Sequence, residues 1–363
     1  MTLEFRNITK RYKGKTALDE LSLTVERESF TVLCGPPQSG KSTLFRIFVG
    51  LEKADSGEML LSGRDISKDT PADRPIGYIP QNFALYPHQT VAQNIAYPLT
   101  LAGFPKDEIA KRVDRTAGIL SITHLMKKTP DQLSGGEKQR VAVARGLLKD
   151  AEIFVLDDPL VGLDYKLRER LMDELKSLRQ ELKATFLYAT SDSLEALTMA
   201  QRLAVIDAGR IVQVDSVDTV YHNPSHARSL DLVGFPHANL IAGRVAGGFV
   251  QAGPWRLPVQ GLADGSEVIV GLRPEHIRLL EPGDASAASN EVKIPARVSL
   301  VENQGGEIVV NLDADGQPLT LALLAMGAWI PELDSSVTIA VDPKNALFFD
   351  GKSRERLMTG GHA

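Results

Sequence analysis

Hydrophobic and polar positions alternate in short runs near the start of the chain. In residues 21–25 apolar side chains alternate with hydroxyl side chains, and Lys13, Gly14 and Lys15 interrupt the same kind of pattern. Alternation with a glycine-containing break predicts strands joined by tight turns. We therefore expect a small antiparallel sheet over residues 3–30.

Further along, apolar runs alternate with segments of helical periodicity. Residues 31–34 and 153–156 are mainly apolar, as are residues 185–190. A run that is apolar at successive positions indicates a central parallel strand covered on both faces. Between these runs, apolar residues recur at helical spacing among charged ones. They are Leu99, Leu101, Ile109, Val113, Ile119 and Leu120, and later Leu167, Leu171, Leu175, Leu178 and Leu182. The first part of the chain therefore belongs to the α/β class.

The pattern changes between Pro224 and Pro236. Beyond this point short strands recur with few helical segments, and an Ala/Ser-rich stretch at 283–289 is typical of a loop tip. The strands are expected at 268–270, 296–300, 307–310 and 337–341. This part of the sequence predicts a separate, all-β, barrel-like domain.

Length, charge and cysteine content narrow the class of protein. The chain has 363 residues, of which 43% are hydrophobic, a formal net charge of -5 and one cysteine, Cys34. That length supports two domains, each with its own core. No window offers about 18 consecutive apolar residues and the start lacks a signal pattern, so we expect a cytosolic or peripheral protein. The mixed charges argue against bulk attraction to nucleic acid, and one cysteine rules out an internal disulfide.

A glycine-rich loop links the first apolar strand to a helical run. Its residues are Gly35, Pro36, Pro37, Gln38, Ser39, Gly40, Lys41, Ser42 and Thr43. They fit G-x-x-x-x-G-K-[ST] in the required strand-loop-helix context. In such a loop backbone N–H groups surround phosphate, Lys41 reaches the terminal phosphates and the Ser42 hydroxyl can ligate Mg²⁺. An ordinary glycine turn with a chance lysine is the alternative, but the context favours binding of a nucleoside triphosphate.

Two side chains near this loop each fit more than one role. Tyr12 lies at a strand end, where it could stack on a purine ring or be a half-exposed strand tyrosine. Gln81 closes a short apolar strand, where its amide could ligate Mg²⁺, orient a water or cap the strand. Neither residue decides the function alone.

A second glycine motif and a pair of carboxylates complete the candidate chemistry. The motif consists of Leu133, Ser134, Gly135, Gly136 and Glu137. Ser134 suits a helix N-cap and the glycines leave N–H groups open to an anion, although a simple turn before an amphipathic helix is also possible. Asp157 and Asp158 close a buried strand. In a phosphate-loop protein Asp157 would hold Mg²⁺ through water and Asp158 would lie near the attacking water.

In their order along the chain, these motifs resemble the ATP-binding subunits of ABC transporters. The resemblance implies a P-loop NTPase fold, with a RecA-like parallel sheet, an antiparallel β subdomain and a helical subdomain at about 85–152, all within residues 1–233. An OB-like regulatory domain at 234–357 and a tail at 358–363 would follow. The residues at 221–224 and 271–276 resemble the subgroup that imports sugars, polyols and glycerol phosphates.

The resemblance also implies partners. A second ATPase subunit would pair head to tail, so that each ATP lies between the phosphate loop of one subunit and the 134–136 helix end of the other. Two transmembrane permease subunits would dock in a groove beside Gln81, and a solute-binding protein would act through them. Groove candidates are Phe83, Ala84, Leu85, Tyr86 and His88. This places the chain at the cytoplasmic side of the inner membrane. No basic stripe with stacking aromatics suggests nucleic acid.

The chain departs from the family pattern at its catalytic positions. Asp158 replaces a glutamate, which retracts the carboxylate by about 1.5 Å, and a misplacement of ~1 Å can cost ~10²-fold in rate. Ser191 replaces a histidine that would reach the γ-phosphate. Val161 and Gly162 replace a serine-led pair, and Glu137 stands where glutamine is commoner. We expect weak hydrolysis and a heterodimeric ATPase pair; a competent homodimer and a nucleotide-sensing regulatory subunit are the alternatives.

Overall fold

The chain folds into two compact units, Met1–Val217 and Asp218–Ala363. The computed structural model describes residues 2–149, 151–163, 165–281, 291–327 and 329–358. Asp164, expected to cap a helix, and the loop tip expected at 283–289 lie outside the described residues, as do the side chains of Leu178 and Leu182. Among the residues described, no helix is long and apolar enough to cross a membrane.

The first unit contains ten strands and six helices among its described residues. The strands are β1 (Leu3–Tyr12), β2 (Lys15–Val25), β3 (Phe30–Cys34), β4 (Ser56–Leu61), β5 (Arg64–Asp65), β6 (Ile76–Ile79), β7 (Ile153–Asp157), β8 (Thr185–Thr190), β9 (Arg202–Asp207) and β10 (Arg210–Ser216). The helices are α1 (Lys41–Phe48), α2 (Val91–Leu101), α3 (Lys106–Ile119), α4 (Gly135–Leu147), α5 (Tyr165–Leu182) and α6 (Ser193–Met199).

An antiparallel sheet forms where the sequence alternates. Its strand order is β2-β1-β4-β5, and the β1–β2 hairpin pairs Leu3 with Val25 at one end and Tyr12 with Lys15 at the other. Alternate side chains of β1 and β2 are buried against α1, with Phe5 and Phe48 in an edge-to-face contact. The hairpin thus holds Tyr12 and Lys15 side by side at its turn.

The central sheet is mainly parallel, in the order β10-β9-β3-β8-β7-β6. Strands β9, β3, β8, β7 and β6 pair in parallel with their neighbours, and only β10 is antiparallel. Every residue of β3, β7 and β8 is buried, as the apolar runs predicted. Cys34, the last residue of β3, is 1% exposed, and burial raises the pKa of its thiol to about 12. The carboxyl ends of these three strands lie at one edge of the sheet.

Helices α2, α3 and α4 form the expected helical region, with short 3₁₀ turns at Thr123–Leu125 and Pro130–Gln132. Thr90 and Gln93 form a capping box at the start of α2. Helix α2 packs against α3 and α4, and Ile95, Leu99 and Val141 on these helices are fully buried. Leu101, in contrast, is 76% exposed at the end of α2, so it lies off the buried face.

The second unit is mainly β structure. It contains α7 (Val217–His222), α8 (Ala227–Leu232), β11 (Asn239–Ala246), β12 (Phe249–Ala252), β13 (Trp255–Pro258), β14 (Glu267–Leu272), β15 (Ile277–Leu280), β16 (Val292–Asn303), β17 (Glu307–Ala314), β18 (Gln317–Leu324), β19 (Ser336–Val341) and β20 (Leu347–Asp350), with α7 beginning at the division. Two five-stranded antiparallel sheets, β13-β12-β11-β14-β20 and β15-β19-β16-β17-β18, enclose one core that includes the buried Trp255.

The division lies earlier than the boundary expected at residue 233. Helix α8 packs on β14, where a side chain at Gly271 would approach Leu230 Cδ2 to 2.3 Å. Arg273, 4% exposed, donates to Val233 O at 2.8 Å and to Tyr221 O at 2.6 Å. Residues 218–233 therefore pack with the β unit, because a buried arginine binds their carbonyl groups.

Candidate nucleotide-binding site

The glycine loop, the carboxylates and Ser191 all follow neighbouring strand ends of the central sheet. Strand β3 leads into Gly35, β7 ends at Asp157 and β8 ends at Thr190. The N–H of Gly35 donates to Thr190 O at 3.3 Å, and the N–H of Asp158 donates to Ala189 O at 3.0 Å. These bonds hold the three segments together at one edge, which is where ligands bind in open α/β sheets.

The conformation of the loop requires its glycines. Gly40, with φ 108°, precedes α1, and a Cβ there would lie 2.6 Å from Ala17 O. A Cβ on Gly35 would lie 2.1 Å from Ile206 O. At Gly40 the positive φ and the close approach of neighbouring backbone both require glycine, and at Gly35 the close approach alone requires it. The loop is therefore held tightly against β9 and the β2 strand at the start of α1.

Lys41 is buried inside the loop. Its side chain is 5% exposed, and Nζ donates to Gly35 O at 2.7 Å and to Pro36 O at 3.0 Å. Burial lowers the pKa of Lys41, while the nearby Asp158 and Asp157 oppose that shift. The ammonium group thus lies on the concave side of the loop, next to both carboxylates.

Asp157 is connected to the start of α1 and to β6. Its Oδ1 accepts from Ser42 Oγ at 2.9 Å, and its Oδ2 accepts from Tyr78 Oη at 3.3 Å. Burial is the main cause that raises the pKa of Asp157, and burial also raises the pKa of Tyr78. The hydroxyl of Ser42 and this carboxylate therefore form the adjacent oxygen pair that the sequence predicted for Mg²⁺.

Asp158 follows Asp157 with a left-handed backbone, φ 46°. Its Oδ1 accepts the backbone N–H of Ser191 at 3.3 Å. Burial raises the pKa of Asp158. Two smaller effects oppose this rise: the positive charge of Lys41, which is the larger of the two, and the hydrogen bond from the Ser191 N–H. The structure thus brings the two predicted catalytic residues into direct contact, but through the Ser191 backbone rather than its hydroxyl.

A cavity of about 430 Å³ opens between the glycine loop and the β1–β2 hairpin. It is lined by Tyr12, Lys15, Ala17, Pro37, Gln38, Gly40, Lys41, Ser42, Thr43, Gln81 and Asp158. An adjoining cavity shares Ser42 and Gln81 and also reaches Asp157. Most predicted nucleotide-site residues therefore meet here, whereas Ser191 and the motif at 133–137 do not line either cavity.

Sequence reasoning missed the contribution of the hairpin beside Tyr12. Lys15 pairs with Tyr12, and its Nζ lies 3.4 Å from Gln38 Oε1 in the glycine loop. The Tyr12 hydroxyl donates to Glu52, and Lys10 Nζ lies 5.3 Å from the Tyr12 ring centroid. The signal was the Lys-Gly-Lys turn, because a tight turn places its two flanking residues together on one side of the sheet.

The second glycine motif begins α4 as predicted. Ser134 is the N-cap: its Oγ accepts the Glu137 N–H at 3.3 Å, and its own N–H donates to Glu137 Oε2 at 2.7 Å. The bond from the Ser134 N–H lowers the pKa of Glu137. Ser134 and Gly135 are exposed while Leu133 is buried. The helix N-terminus is therefore open at the surface.

The residues that line this site fit a nucleoside triphosphate. Ser39 Oγ is buried in the loop without a hydrogen-bond partner, as expected for a group that contacts phosphate or water. The described residues contain no group of three or more His, Cys, Asp and Glu side chains that could hold a metal alone. A hydroxyl, a carboxylate and an amide suit Mg²⁺, which usually takes few protein ligands and completes its shell with phosphate and water.

The parallel sheet with its glycine loop defines a P-loop nucleotide-binding protein, as the sequence predicted. Family models match the chain at residues 18–161 (ABC transporter), 239–279 (CysA C-terminal regulatory domain) and 270–349 (TOBE domain). The chain belongs to the ABC transporter ATP-binding proteins, which are ATPases.

Three relatives illustrate the similarity. An uncharacterized ABC transporter ATP-binding protein y4oS of Sinorhizobium fredii is 39% identical, over 88% of this chain and 85% of the relative. The xylose/arabinose import ATP-binding protein XacJ of Haloferax volcanii is 34% identical, over 97% and 94%. The spermidine/putrescine import ATP-binding protein PotA of Pseudomonas aeruginosa is 37% identical, over 87% and 92%.

A solved structure supports the fold of the first unit. The ATP-binding cassette MJ0796, in a dimeric post-hydrolysis state bound to ADP and phosphate, matches with a TM-score of 0.55 and 29% identity. The match covers 59% of this chain and 98% of the cassette. The expected α/β P-loop fold with a C-terminal all-β, OB-like domain is thus confirmed.

Proposed function

We propose that this chain is the ATP-binding subunit of an importer and couples ATP binding and hydrolysis to uptake of a small solute. The observation that carries the proposal is that one chain contains both the nucleotide cavity around Lys41 and a mainly β unit that the TOBE model matches. The sugar importer subunit XacJ has the same overall extent, because the match covers 97% of this chain. The favoured solute class is a sugar, polyol, glycerol or glycerol phosphate.

The relative PotA is named for spermidine and putrescine, so the solute test must include a polyamine. We would co-express the chain with any permease and solute-binding-protein genes found next to its own gene and reconstitute the complex in vesicles. ATP-dependent uptake would be measured with a labelled pentose, glycerol phosphate and putrescine. We expect uptake of a polyhydroxy solute that the Lys41→Met variant abolishes. Uptake of putrescine alone would mean that the solute is a polyamine rather than a polyhydroxy compound. Failure of the chain to associate with a permease would contradict the importer proposal itself.

Mg²⁺ would be held by Ser42, Asp157 and Gln81, together with ATP. The support is the 2.9 Å contact of Ser42 Oγ with Asp157 Oδ1 and the position of Gln81 in both cavities. The ion would neutralise charge on the phosphates. ATP affinity should therefore fall when EDTA removes divalent ions, and Asp157→Asn should reduce that dependence. Equal affinity with and without EDTA would contradict this assignment.

Weak hydrolysis at this chain's own site is the second part of the proposal. Asp158 Oδ1 accepts the Ser191 N–H, so part of the short carboxylate is already used within the protein. Serine at 191 offers no imidazole to a γ-phosphate. A carboxylate that is both retracted and engaged is poorly placed to orient an attacking water, since misplacement by ~1 Å costs ~10²-fold in rate.

A heterodimeric ATPase pair follows from weak hydrolysis. The exposed N-terminus of α4 at Ser134 and Gly135 would complete the ATP site of a second, better-equipped ATPase subunit. ATP hydrolysis would be measured for the purified chain alone and with the second ATPase encoded beside it. We expect slow hydrolysis alone and at least tenfold stimulation in the mixture. Brisk hydrolysis by the chain alone that Asp158→Asn abolishes would favour the homodimer.

The permease contact is proposed at the surface beside Gln81. The candidate residues are Phe83, Ala84, Leu85, Tyr86 and His88. Tyr86 is 41% exposed yet held in place: its N–H donates to Asn94 Oδ1 at 2.8 Å, and the Arg145 guanidinium lies 5.2 Å from its ring centroid. A fixed, exposed aromatic suits a protein contact. Tyr86→Ala should reduce co-purification with the permease while ATP affinity stays unchanged. This contact would hold the chain at the cytoplasmic face of the membrane.

A nucleotide-sensing regulatory subunit is the alternative from another functional class. Such a sensor would bind ATP through the same cavity but would not need a permease. Membrane fractions from cells that express the whole gene cluster discriminate the two functions. We expect the chain in the membrane fraction with the permease, whereas a sensor would stay in the supernatant.

A further inference from the structure

A buried polar network lies beneath the loop that carries Ser191. Glu195, 5% exposed, accepts hydrogen bonds from Tyr188 Oη at 3.0 Å and from Thr190 Oγ1 at 2.8 Å. Thr190 Oγ1 in turn accepts the Asp192 N–H at 3.0 Å. These bonds fix the backbone on both sides of Ser191. The direction of the Ser191 N–H is therefore set by the network below it.

Arg168 of α5 is the cation of this network. Its Nη1 donates to Asp192 Oδ2 at 2.8 Å, and its Nε lies 3.7 Å from Glu195 Oε1. The other oxygen of Asp192 caps α6 by accepting the N–H groups of Leu194 at 2.9 Å and Glu195 at 3.1 Å. A planar guanidinium that contacts two carboxylates fixes their relative positions more firmly than a lysine would.

Leu167, which precedes Arg168 in α5, packs against the glycine motif at 133–137. A Cβ added to Gly136 would lie 2.9 Å from Leu167 Cδ2 and 3.2 Å from Leu163 Cδ2. The first turn of α4 therefore rests directly on α5. Because Leu167 and Arg168 are consecutive on one helix, a shift of the α4 turn that displaces the α5 backbone at Leu167 also moves Arg168.

We propose that Arg168 is a positioning residue that links the turn at 134–136 to the loop at 190–192. Displacement of the turn passes through Leu167 and Arg168 to Asp192, and so changes the Ser191 N–H that contacts Asp158. The hydrogen bonds and packing contacts described above do not depend on the proposed function. The use of the link rests on the proposed function, in which ATP of a second subunit docks on the turn and thereby adjusts this chain's own catalytic loop.

A double-mutant cycle with hydrogen exchange as its readout tests the link on the full chain alone. Gly136→Ala pushes Leu167, whereas Gly135→Ala is the matched control because its methyl group meets no atom within 4 Å. We expect Gly136→Ala to speed exchange of the amides at 190–195 by about tenfold, within the range of coupling between residues in contact. In an Arg168→Met background, Gly136→Ala should not speed amide exchange at 190–195 any further.

Two further variants keep the outcome decisive. Arg170→Met alters an exposed arginine of the same helix and should leave exchange at 190–195 unchanged. If Arg168→Met does not fold, the cycle is repeated with Asp192→Asn, which removes the acceptor instead. Exchange in β3 reports on global stability. An equal effect of Gly136→Ala in both backgrounds, or no effect in the original chain, overturns the proposal. The readout needs no permease or second ATPase, so failure of the proposed function is distinguished from failure of the link.

Discussion

Ser191 donates its backbone N–H to Asp158 Oδ1 at 3.3 Å, so the two residues that the sequence predicts as catalytic touch each other. A longer acidic side chain at 158 would carry its carboxylate beyond this N–H and further into the cavity that Asp158 lines. The two residues therefore form one local arrangement, and the consequences of changing either depend on the other.

Asp158→Glu should raise the hydrolysis rate of this chain. The added methylene extends the carboxylate by about 1.5 Å, and we expect about 10- to 100-fold faster phosphate release at saturating ATP. The backbone at this residue has φ 46°, which aspartate tolerates better than glutamate, so the melting temperature should fall slightly. Asp158→Asn serves as the control without a charge. An unchanged rate with intact ATP binding would show that carboxylate reach does not limit hydrolysis.

Ser191→His should help only when the carboxylate is also extended. In the proposed mechanism an imidazole at 191, longer than the serine hydroxyl, would donate to the γ-phosphate, and the attacking water would also require the longer carboxylate of Asp158→Glu. We expect the double variant to exceed the product of the two single effects, with a coupling of about 1 kcal/mol. The measurement is phosphate release from all four proteins under one set of conditions. Strictly multiplicative effects would mean that the side chains at 158 and 191 act independently on hydrolysis.

Arg273→Leu should destabilise the second unit. The change leaves the carbonyl groups of Val233 and Tyr221 without their donor, and it removes a guanidinium 3.7 Å from the Tyr221 ring centroid. We expect the free energy of unfolding to fall by about 2–4 kcal/mol, measured by urea denaturation of the full chain. Arg297→Leu is the matched control, because its pair with Asp334 is exposed on both sides and should matter by less than about 1 kcal/mol. Equal losses for both variants would contradict a structural role for Arg273.

Glu195→Gln should weaken the pH dependence of stability. Burial raises the pKa of Glu195 above its ordinary value of 4.5, against the hydrogen bonds from Thr190 and Tyr188. The folded chain therefore holds this proton more tightly than the unfolded chain. Its stabilising contribution is present below pH 4.5 and is lost as the pH rises through the raised pKa.

The test compares unfolding free energies of the original chain and Glu195→Gln across a pH series. Asp157 and Asp158 also have raised pKa values, but they remain in both proteins, so their effects cancel in the difference. We expect the difference curve to change as the pH rises from 4.5 through the raised pKa of Glu195. A difference that is constant with pH would mean that Glu195 titrates alike in the folded and unfolded chain.

The phosphate loop could be predicted because its signals are local. A buried strand, Gly35, Gly40 and Lys41 all lie within one short segment, and the backbone geometry leaves little choice at either glycine. The meeting of Asp157 with Ser42 also followed from the sequence, since carboxyl ends of parallel strands share an edge.

Other features carry no local signal. Arg168 and Glu195 are far apart in sequence, and each resembles an ordinary charged helical residue until the fold brings them together. The change of pattern between Pro224 and Pro236 predicts the boundary at residue 233, whereas the structure divides the chain after Val217, because Arg273 and the packing of Leu230 on Gly271 hold residues 218–233 on the β unit. Both features depend on buried polar side chains whose partners lie far away in the sequence.

The fully buried thiol of Cys34 has a practical consequence for experiments on this chain. With 1% exposure and a pKa near 12, it stays protonated and shielded from alkylating reagents at neutral pH. It is also the only cysteine in the chain. A cysteine introduced at an exposed position such as Ser134 would then be the sole reactive site for a fluorophore or spin label, without first replacing Cys34.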